Sequence, residues 1–253
     1  MAMFKTGLKL AVAAISLGVM VPQQAPGAQE NSHYVAWSPS YGGSCQGCDL
    51  RGRNMSGWDI SNANYPDADI SDALLRGTRA VGVTFTGAVA LNTDFRQAVL
   101  DQAKFNDAHL ETSRFDKASL MNADLSRAVM TETKMRGAVL SGATVRRTDF
   151  SNADAKRADF SGANAANALF IGARLENAIF HNAVLTGASF EGANLTGAQF
   201  TDMRLNEVDF TGATGLETVN FANSCLASGT ILPETIALDP CPPLDGTIIL
   251  DFD

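Results

Sequence analysis

The sequence predicts a solenoid, a fold in which short units of the chain stack on one another, and two periodic rows of residues support this prediction. Every fifth residue from Leu50 to Phe210 is apolar, over 33 consecutive positions, and eleven of the 14 phenylalanines lie in this row. A second row, two residues earlier, holds alanine at 22 of the 28 positions from Ala63 to Ala198. A period of five fits neither an amphipathic helix nor a strand, so each unit buries its apolar residues only by stacking on its neighbours.

Within these rows a quintet recurs, made of alanine, Asp or Asn, a large apolar residue and two polar residues. Examples are Ala123–Arg127, Ala158–Gly162 and Ala193–Gly197. On these residues the chain resembles the pentapeptide-repeat family. The resemblance implies an all-β fold, a right-handed quadrilateral parallel β-helix with one quintet on each side, about eight to nine coils and capped ends.

The large row also predicts how the interior is filled. Where one pair of opposed sides has large inward side chains the other pair has small ones, and the two pairs exchange these roles along the stack. Phe85 and Phe95 lie on one pair where Ala80 and Ala90 lie on the other, and further along the chain the order is reversed. A constant cross-section at native packing density requires this exchange. The predicted core phenylalanines are Phe85, Phe95, Phe105, Phe115, Phe150, Phe160, Phe170, Phe180, Phe190, Phe200 and Phe210.

Residues 1–28 are predicted to be a secretory signal peptide. Lys5 and Lys9 accompany an uncharged apolar run, residues 10–21, and small residues at 25–28 offer a cleavage site. The run is short for a membrane span. The alternative to a cleaved signal peptide is an uncleaved membrane anchor. We therefore expect a periplasmic or secreted protein with no membrane span after signal removal. Removal changes the formal net charge from −8 to −10, because two lysines and no acids are lost.

Three further segments are expected after the signal. Residues 29–47 are predicted to be an N-terminal leader or cap, because the open end of a solenoid is an unpaired sheet edge that needs covering. Residues 48–228 are assigned to the β-helix, with one extra residue near Gly215 where the period slips by one. Residues 229–253 contain four prolines, five acids and no bases, which suggests a C-terminal cap or acidic tail.

Four cysteines lie near the two ends of the predicted β-helix. One zinc ion cannot bind all four, because the 177 residues from Cys48 to Cys225 correspond to about 42 Å of stacked coils. No histidine follows Cys48 and no βαβ pattern is present, which disfavours haem attachment and a thioredoxin-like site. In an oxidising compartment we expect disulfides between Cys45 and Cys48 and between Cys225 and Cys241, with free thiols, an intermolecular bridge or a redox pair as alternatives.

Catalytic residues and cofactor ligands find little support. The three histidines, His33, His109 and His181, are far apart in the sequence, and the aspartates that precede large residues fit turn positions where they bond to local backbone. The repeat region has almost no insertions from which a cleft could be built. We therefore expect a protein that is not an enzyme and has no metal or other cofactor.

Charged residues are best compared in columns, since residues 20 apart should lie directly above one another. One column, which we interpret as a surface ladder of modest value, holds Asp94, Arg114, Lys134, Asp154 and Arg174. A second column is net basic and has Lys117 and Arg157 beside it; its members are Arg76, Arg96, Asp116, Arg136, Lys156 and Glu176. From this column and its neighbours we choose a candidate partner-docking stripe, with a solvated face as the alternative: Arg76, Arg96, Arg136, Lys156 and Arg157.

Three classes of function remain. The first is a noncatalytic scaffold for an unknown protein or other macromolecule in the bacterial periplasm or outside the cell, with a homodimer through semi-apolar surface columns as a further possibility. The second follows from the resemblance, because some family members mimic duplex DNA and bind type II topoisomerases. The export signal and the basic column oppose it, since a DNA mimic should be acidic along its length. The third is a carbohydrate-active β-helix enzyme, which the lack of a cleft disfavours. No nucleic acid is expected as a partner.

Overall fold

A computed structural model describes residues 43–243, and the predicted signal peptide, most of the leader and residues 244–253 lie outside the described residues. The described chain forms parallel β-bridges between residues 20 apart, from Ser44 opposite Asn64 to Asn194 opposite Thr214. The bridges divide residues 44–203 into eight successive coils of four quintets each. They begin inside the segment predicted as leader, because Cys45 already takes the large position of a quintet.

Each quintet repeats one set of backbone hydrogen bonds. Phe85 donates its N–H to the carbonyl oxygen of Lys104 in the next coil at 2.7 Å, and Lys104 donates to Val83 at 2.8 Å. At the corner that follows Phe85, Ala88 donates its N–H to the carbonyl oxygen of Phe85 at 3.1 Å. Every coil is therefore held to both neighbours, and four such corners return the chain to its starting side.

The corner explains why glycine and asparagine are frequent at the last quintet position, although longer side chains such as Gln97 and Glu132 also occupy it. The residue at this position has a positive φ, 58° at Asn167 and 71° at Gly187, a conformation that glycine and asparagine adopt at the lowest cost. A Cβ on Gly187 would lie 2.6 Å from Oδ1 of Asn167 in the coil before it. Asparagine in one coil therefore favours glycine directly above it.

Regular secondary structure is short near the C-terminal end of the stack. Strand β1 (Arg204–Leu205) pairs in parallel with β2 (Cys225–Leu226), with Arg204 opposite Cys225. A 3-10 helix, Leu216–Thr218, lies between them and follows Gly215, whose φ is 75°. Gln199 lies opposite Asn220, one position later than the regular offset would place it, so the extra residue lies where the sequence placed it. No α-helix occurs in residues 43–243, and none of the described residues forms a helix that could cross a membrane.

All eleven predicted core phenylalanines are fully buried. Their rings form two interleaved stacks in the second half of the molecule: Phe150 stacks on Phe170 with centroids 5.1 Å apart, and Phe170 on Phe190 at 4.9 Å. Phe160 and Phe180 meet Phe170 edge-on, at 5.5 and 5.6 Å. Offset and edge-to-face packing of this kind adds to the stabilisation from area burial alone.

Buried hydroxyls account for the polar exceptions in the alanine row. Thr78 donates to the carbonyl oxygen of Met55 at 2.8 Å, and Thr148 donates to that of Leu125 at 2.7 Å, in each case 23 residues back along the chain. A small side chain that fits this row can therefore be polar, because a nearby backbone oxygen accepts its hydrogen bond.

A disulfide lies at each end of the described stack. Cys45 and Cys48 are bonded with their Cα atoms 5.7 Å apart, and Cys225 and Cys241 are bonded at 4.8 Å. Cys241 also donates its N–H to the carbonyl oxygen of Leu226. Pro240 and Leu226 form a parallel β-bridge. The segment after residue 226 thus folds back on the last strand and covers part of its edge.

Replacing Phe170 by alanine should lower the free energy of unfolding by ~3–5 kcal/mol, because four rings lose their contact with it and a cavity is left. Phe221→Ala is the matched control, since Phe221 is only half-buried at the end of the stack, and it should cost less. Urea unfolding of both variants measures the difference. A loss below about 1 kcal/mol for Phe170→Ala would contradict the packing described above.

Candidate functional site

One side of the coils carries nine of the 17 lysines and arginines in the described part of the chain. We call it the basic side and define it by its inward residues Leu75, Phe95, Phe115, Met135, Ala155 and Leu175, together with the outward residue before and the two after each of them. These outward positions hold nine bases, which are Arg76, Arg96, Arg114, Lys117, Lys134, Arg136, Lys156, Arg157 and Arg174. They hold four acids, which are Asp94, Asp116, Asp154 and Glu176.

The side that precedes it in every coil has the opposite character. We call this the acidic side, and its inward residues are Leu50, Ile70, Ala90, Leu110, Met130, Phe150, Phe170, Phe190 and Phe210. Its only outward base is Arg51, and its outward acids are Asp49, Asp69, Asp72, Glu111, Glu132, Asp149, Glu191 and Asp209. On a chain of net charge −8, the bases are therefore gathered on one side instead of being spread evenly.

The four acids of the basic side are all engaged by bases. Arg96 forms an ion pair with Asp94, and Lys156 with Glu176 at 2.7 Å. The remaining contacts join Arg114 to Asp116 at 3.8 Å, and both Arg136 and Arg174 to Asp154, the second at 3.2 Å. Asp94 and Asp154 are 7% and 8% exposed, so these two carboxylates anchor the network close to the backbone.

Two carboxyl groups in this network have lowered pKa values. The side-chain hydrogen bond from Arg96 holds the pKa of Asp94 below its ordinary value, against the effect of burial. At Asp154 burial raises the pKa, but the hydrogen bond from Arg136 and the nearby positive charges outweigh it, so this pKa is also lowered. Both carboxylates stay charged near neutral pH and hold their arginines in place.

An open depression of about 430 Å³ lies on the basic side. The side chains around it are six bases, one acid and one amide, namely Arg76, Arg96, Gln97, Arg114, Asp116, Lys117, Lys134 and Arg136. Among the described residues no ion pair joins Arg76, Lys117, Lys134 or Arg157 to an acid, and all four are exposed. The depression therefore has surplus positive charge and is suited to an anionic group.

The structure brings part of the sequence-predicted stripe together. Arg76, Arg96 and Arg136 line the depression, whereas Lys156 and Arg157 lie on a later coil and do not. Sequence reasoning assigned Arg114 and Lys134 to a separate ladder. They belong to the same surface, because the residues just before and just after one inward residue lie on one side of the coil. The sequence contains this signal, because Arg114 and Lys134 come two residues before Asp116 and Arg136 of the second column.

The described residues contain no cluster placed to hold a metal ion, and one trio of His, Asp and Thr lacks the geometry of a catalytic triad. Within residues 43–243, no group of three or more His, Cys, Asp and Glu side chains is placed to hold a metal ion. His181 lies 2.9 Å from the hydroxyl of Thr201 and 3.2 Å from Asp202, but both contacts are made by Nδ1. A relay from carboxylate through imidazole to hydroxyl needs both ring nitrogens, so this trio is not arranged as a triad.

The sequence pattern matches an established family. A model described as pentapeptide repeats matches the chain in eight copies between residues 81 and 227, which is more than half of its length. The chain belongs to the pentapeptide-repeat family. Membership implies a right-handed quadrilateral β-helix, in agreement with the regular offset of the bridges.

Solved structures of pentapeptide-repeat proteins are similar to this chain at low identity. HetL from the cyanobacterium Nostoc sp. strain PCC 7120, involved in regulation of heterocyst differentiation, is 21% identical over 76% of this chain and 90% of that chain, with a TM-score of 0.35. QnrB1, a plasmid-mediated fluoroquinolone resistance protein, is 20% identical over 74% of this chain and 90% of that chain, with a TM-score of 0.41. A protein of the Arabidopsis thaliana thylakoid lumen is 32% identical over 51% of this chain and 70% of that chain, with a TM-score of 0.15. No curated protein sequence matches the chain.

Asp154→Asn should destabilise the protein in a pH-dependent way, because asparagine cannot neutralise Arg136 and Arg174. The folded-state pKa of Asp154 is lowered, so its stabilising effect is present above the unfolded pKa of about 3.9 and disappears as the pH falls through the folded-state pKa. Urea melts of wild type and variant should differ at pH 7 and converge once the pH has fallen through the folded-state pKa of Asp154. A difference that stays constant over this range would show that the carboxylate charge is not the cause.

Proposed function

We propose that this protein is a noncatalytic scaffold that binds a partner macromolecule through its basic side, in the bacterial periplasm or outside the cell. The observation that supports this most directly is the gathering of nine bases on one side of an acidic chain. Charge distributed in this way steers and orients an oppositely charged partner.

The stacked coils suit such a role because they present a surface that is already ordered. Backbone hydrogen bonds to a neighbouring coil fix the outward positions, as where Gly77 donates its N–H to the carbonyl oxygen of Arg96, so little backbone freedom is lost on binding. The ion pairs to Asp94 and Asp154 hold Arg96 and Arg136 in place in the same way. Solenoids commonly bind partners on extended surfaces of this kind.

A second candidate function follows from the acidic side. Its eight acids could imitate part of a nucleic-acid duplex and bind a topoisomerase, as the family resemblance implies for some members. The basic side begins at the next corner of the same coil and would place nine bases beside the imitated backbone. Since a duplex is negative on all sides, this arrangement favours the scaffold.

Location outside the cytoplasm rests on the predicted signal peptide and on the two disulfides. An intact mass of the protein purified from its own cells, with and without thiol alkylation, tests both. We expect loss of about the first 28 residues, the length of an ordinary signal peptide, and no alkylation of the four cysteines. A full-length chain with reactive thiols would place the protein in the cytoplasm and favour the second candidate.

Charge reversal of two surplus bases should abolish partner recovery. We expect cross-linking in the native cells to join wild type to a partner that Lys117→Glu with Lys134→Glu no longer captures. That variant leaves four bases and three acids around the depression in place of six bases and one acid. Lys104→Glu with Arg146→Glu is the matched control: it changes the net charge equally, at exposed positions on the opposite side of the coils. Loss of the partner in both variants, or in neither, would refute docking on the basic side.

A further inference from the structure

We infer that the basic side recognises an extended acidic segment of a protein, lying along the stack of coils with its carboxylates on the surplus bases. This inference rests on the proposed scaffold function and adds the chemistry and the length of the partner segment. Its first support is the distribution of unpaired charge. The acids on the basic side are matched by Arg96, Arg114, Lys156 and the pair of arginines on Asp154, which leaves the surplus at Arg76, Lys117, Lys134 and Arg157.

These four surplus bases follow a zigzag line along the stack, because they occupy three different columns of the basic side. Arg76 comes one residue after its inward residue, Lys117 and Arg157 come two after theirs, and Lys134 comes one before its own. Arg76 and Arg157 are separated by four coil steps, and Lys117 and Lys134 lie on the coils between them. At the strand spacing of ~4.8 Å the line is about 19 Å long, which an extended chain of about six residues spans. A single small anion would meet only part of it, so the geometry favours a linear ligand.

The spacing along this line is uneven, and that favours a peptide over a polymer of fixed repeat. The coil after Arg76 carries Arg96, which is already paired with Asp94, whereas each of the next three coils has one surplus base. Aspartate and glutamate side chains of different reach can match such a pattern. No aromatic residue occupies an outward position of the basic side, so the stacking by which proteins hold single-stranded nucleic acid has no platform here.

Two of the surplus bases occupy backbone positions that disfavour them. Lys117 and Arg157 have φ of 59° and 58° at the corner position where glycine and asparagine are preferred. Replacing such a residue by glycine should therefore stabilise the fold and weaken binding at the same time. If the side chain had only a structural role, its replacement by glycine would not raise stability and weaken binding together.

The first test measures binding of fluorescein-labelled oligoglutamates by fluorescence anisotropy, with a series of two, four, six, eight and ten residues. We expect affinity to rise steeply up to about six residues and then level off, as the line of about 19 Å becomes fully occupied. Added salt should weaken binding because exposed charges are screened. Affinity that keeps rising in proportion to total charge would show non-specific attraction and overturn the inference.

The second test compares Arg157→Gly with Arg147→Gly. Both remove an exposed arginine from the same corner position, with φ of 58° and 57°, but Arg147 lies on the opposite side of the coils. We expect both variants to raise the urea midpoint, and only Arg157→Gly to weaken binding of the six-residue oligoglutamate, by up to about fivefold. Equal loss of binding in both variants, or in neither, overturns the inference.

The two proposals fail in distinguishable ways. If the cross-linked partner is lost on reversal of Lys117 and Lys134 but oligoglutamates show no length limit, the scaffold function stands and the acidic segment is wrong. A linear polyphosphate or sulfated polysaccharide of equal charge that binds more tightly than the oligoglutamate would also overturn the peptide assignment. If the partner survives the charge reversal, the docking surface itself is wrong.

Discussion

The parallel hydrogen bonding between residues 20 apart is the constraint on which the rest of the structure depends. It fixes the height of each coil, so side chains 20 apart are stacked directly above one another inside and outside the coils. Inside, this produces columns of phenylalanine rings in contact at about 5 Å. Outside, it produces columns of charge, and a column in such a fold is a line of groups at a spacing that the backbone sets.

That spacing is short enough for like charges in one column to repel each other, and the basic side shows how the sequence limits the repulsion. Acids interrupt the column of bases at Asp116 and Glu176, and Asp94 and Asp154 are drawn close to the backbone by their arginines. Within residues 43–243, four bases of this side remain without an ion pair, on a chain that is acidic overall. Three bases on the opposite side also lack an ion pair among the described residues, namely Lys104, Arg146 and Arg147. The feature that an anionic partner would explain is therefore the concentration of bases on the basic side.

Much of the fold could be predicted from the sequence, because its period is a direct record of the coil. The row of large residues identified the buried phenylalanines, and the slip of the period after Phe210 located the extra residue near Gly215. The candidate site was only partly predictable. Columns could be read from the repeat spacing, but grouping Arg114 and Lys134 with Arg136 required knowing which outward positions share a side. The pairing of Asp154 with two arginines depends on side-chain conformations that periodicity does not determine.

Site-specific photo-cross-linking in the native cells tests the central claim most directly. A photoreactive residue at Gln97 would lie at the depression, and one at Gln102 would lie at the equivalent corner of the next side, with φ of 59° and 60° at two exposed positions. We expect a partner to be captured from position 97 and not from position 102. Capture from position 102 alone, or equal capture from both, would contradict the assignment of the basic side as the docking surface.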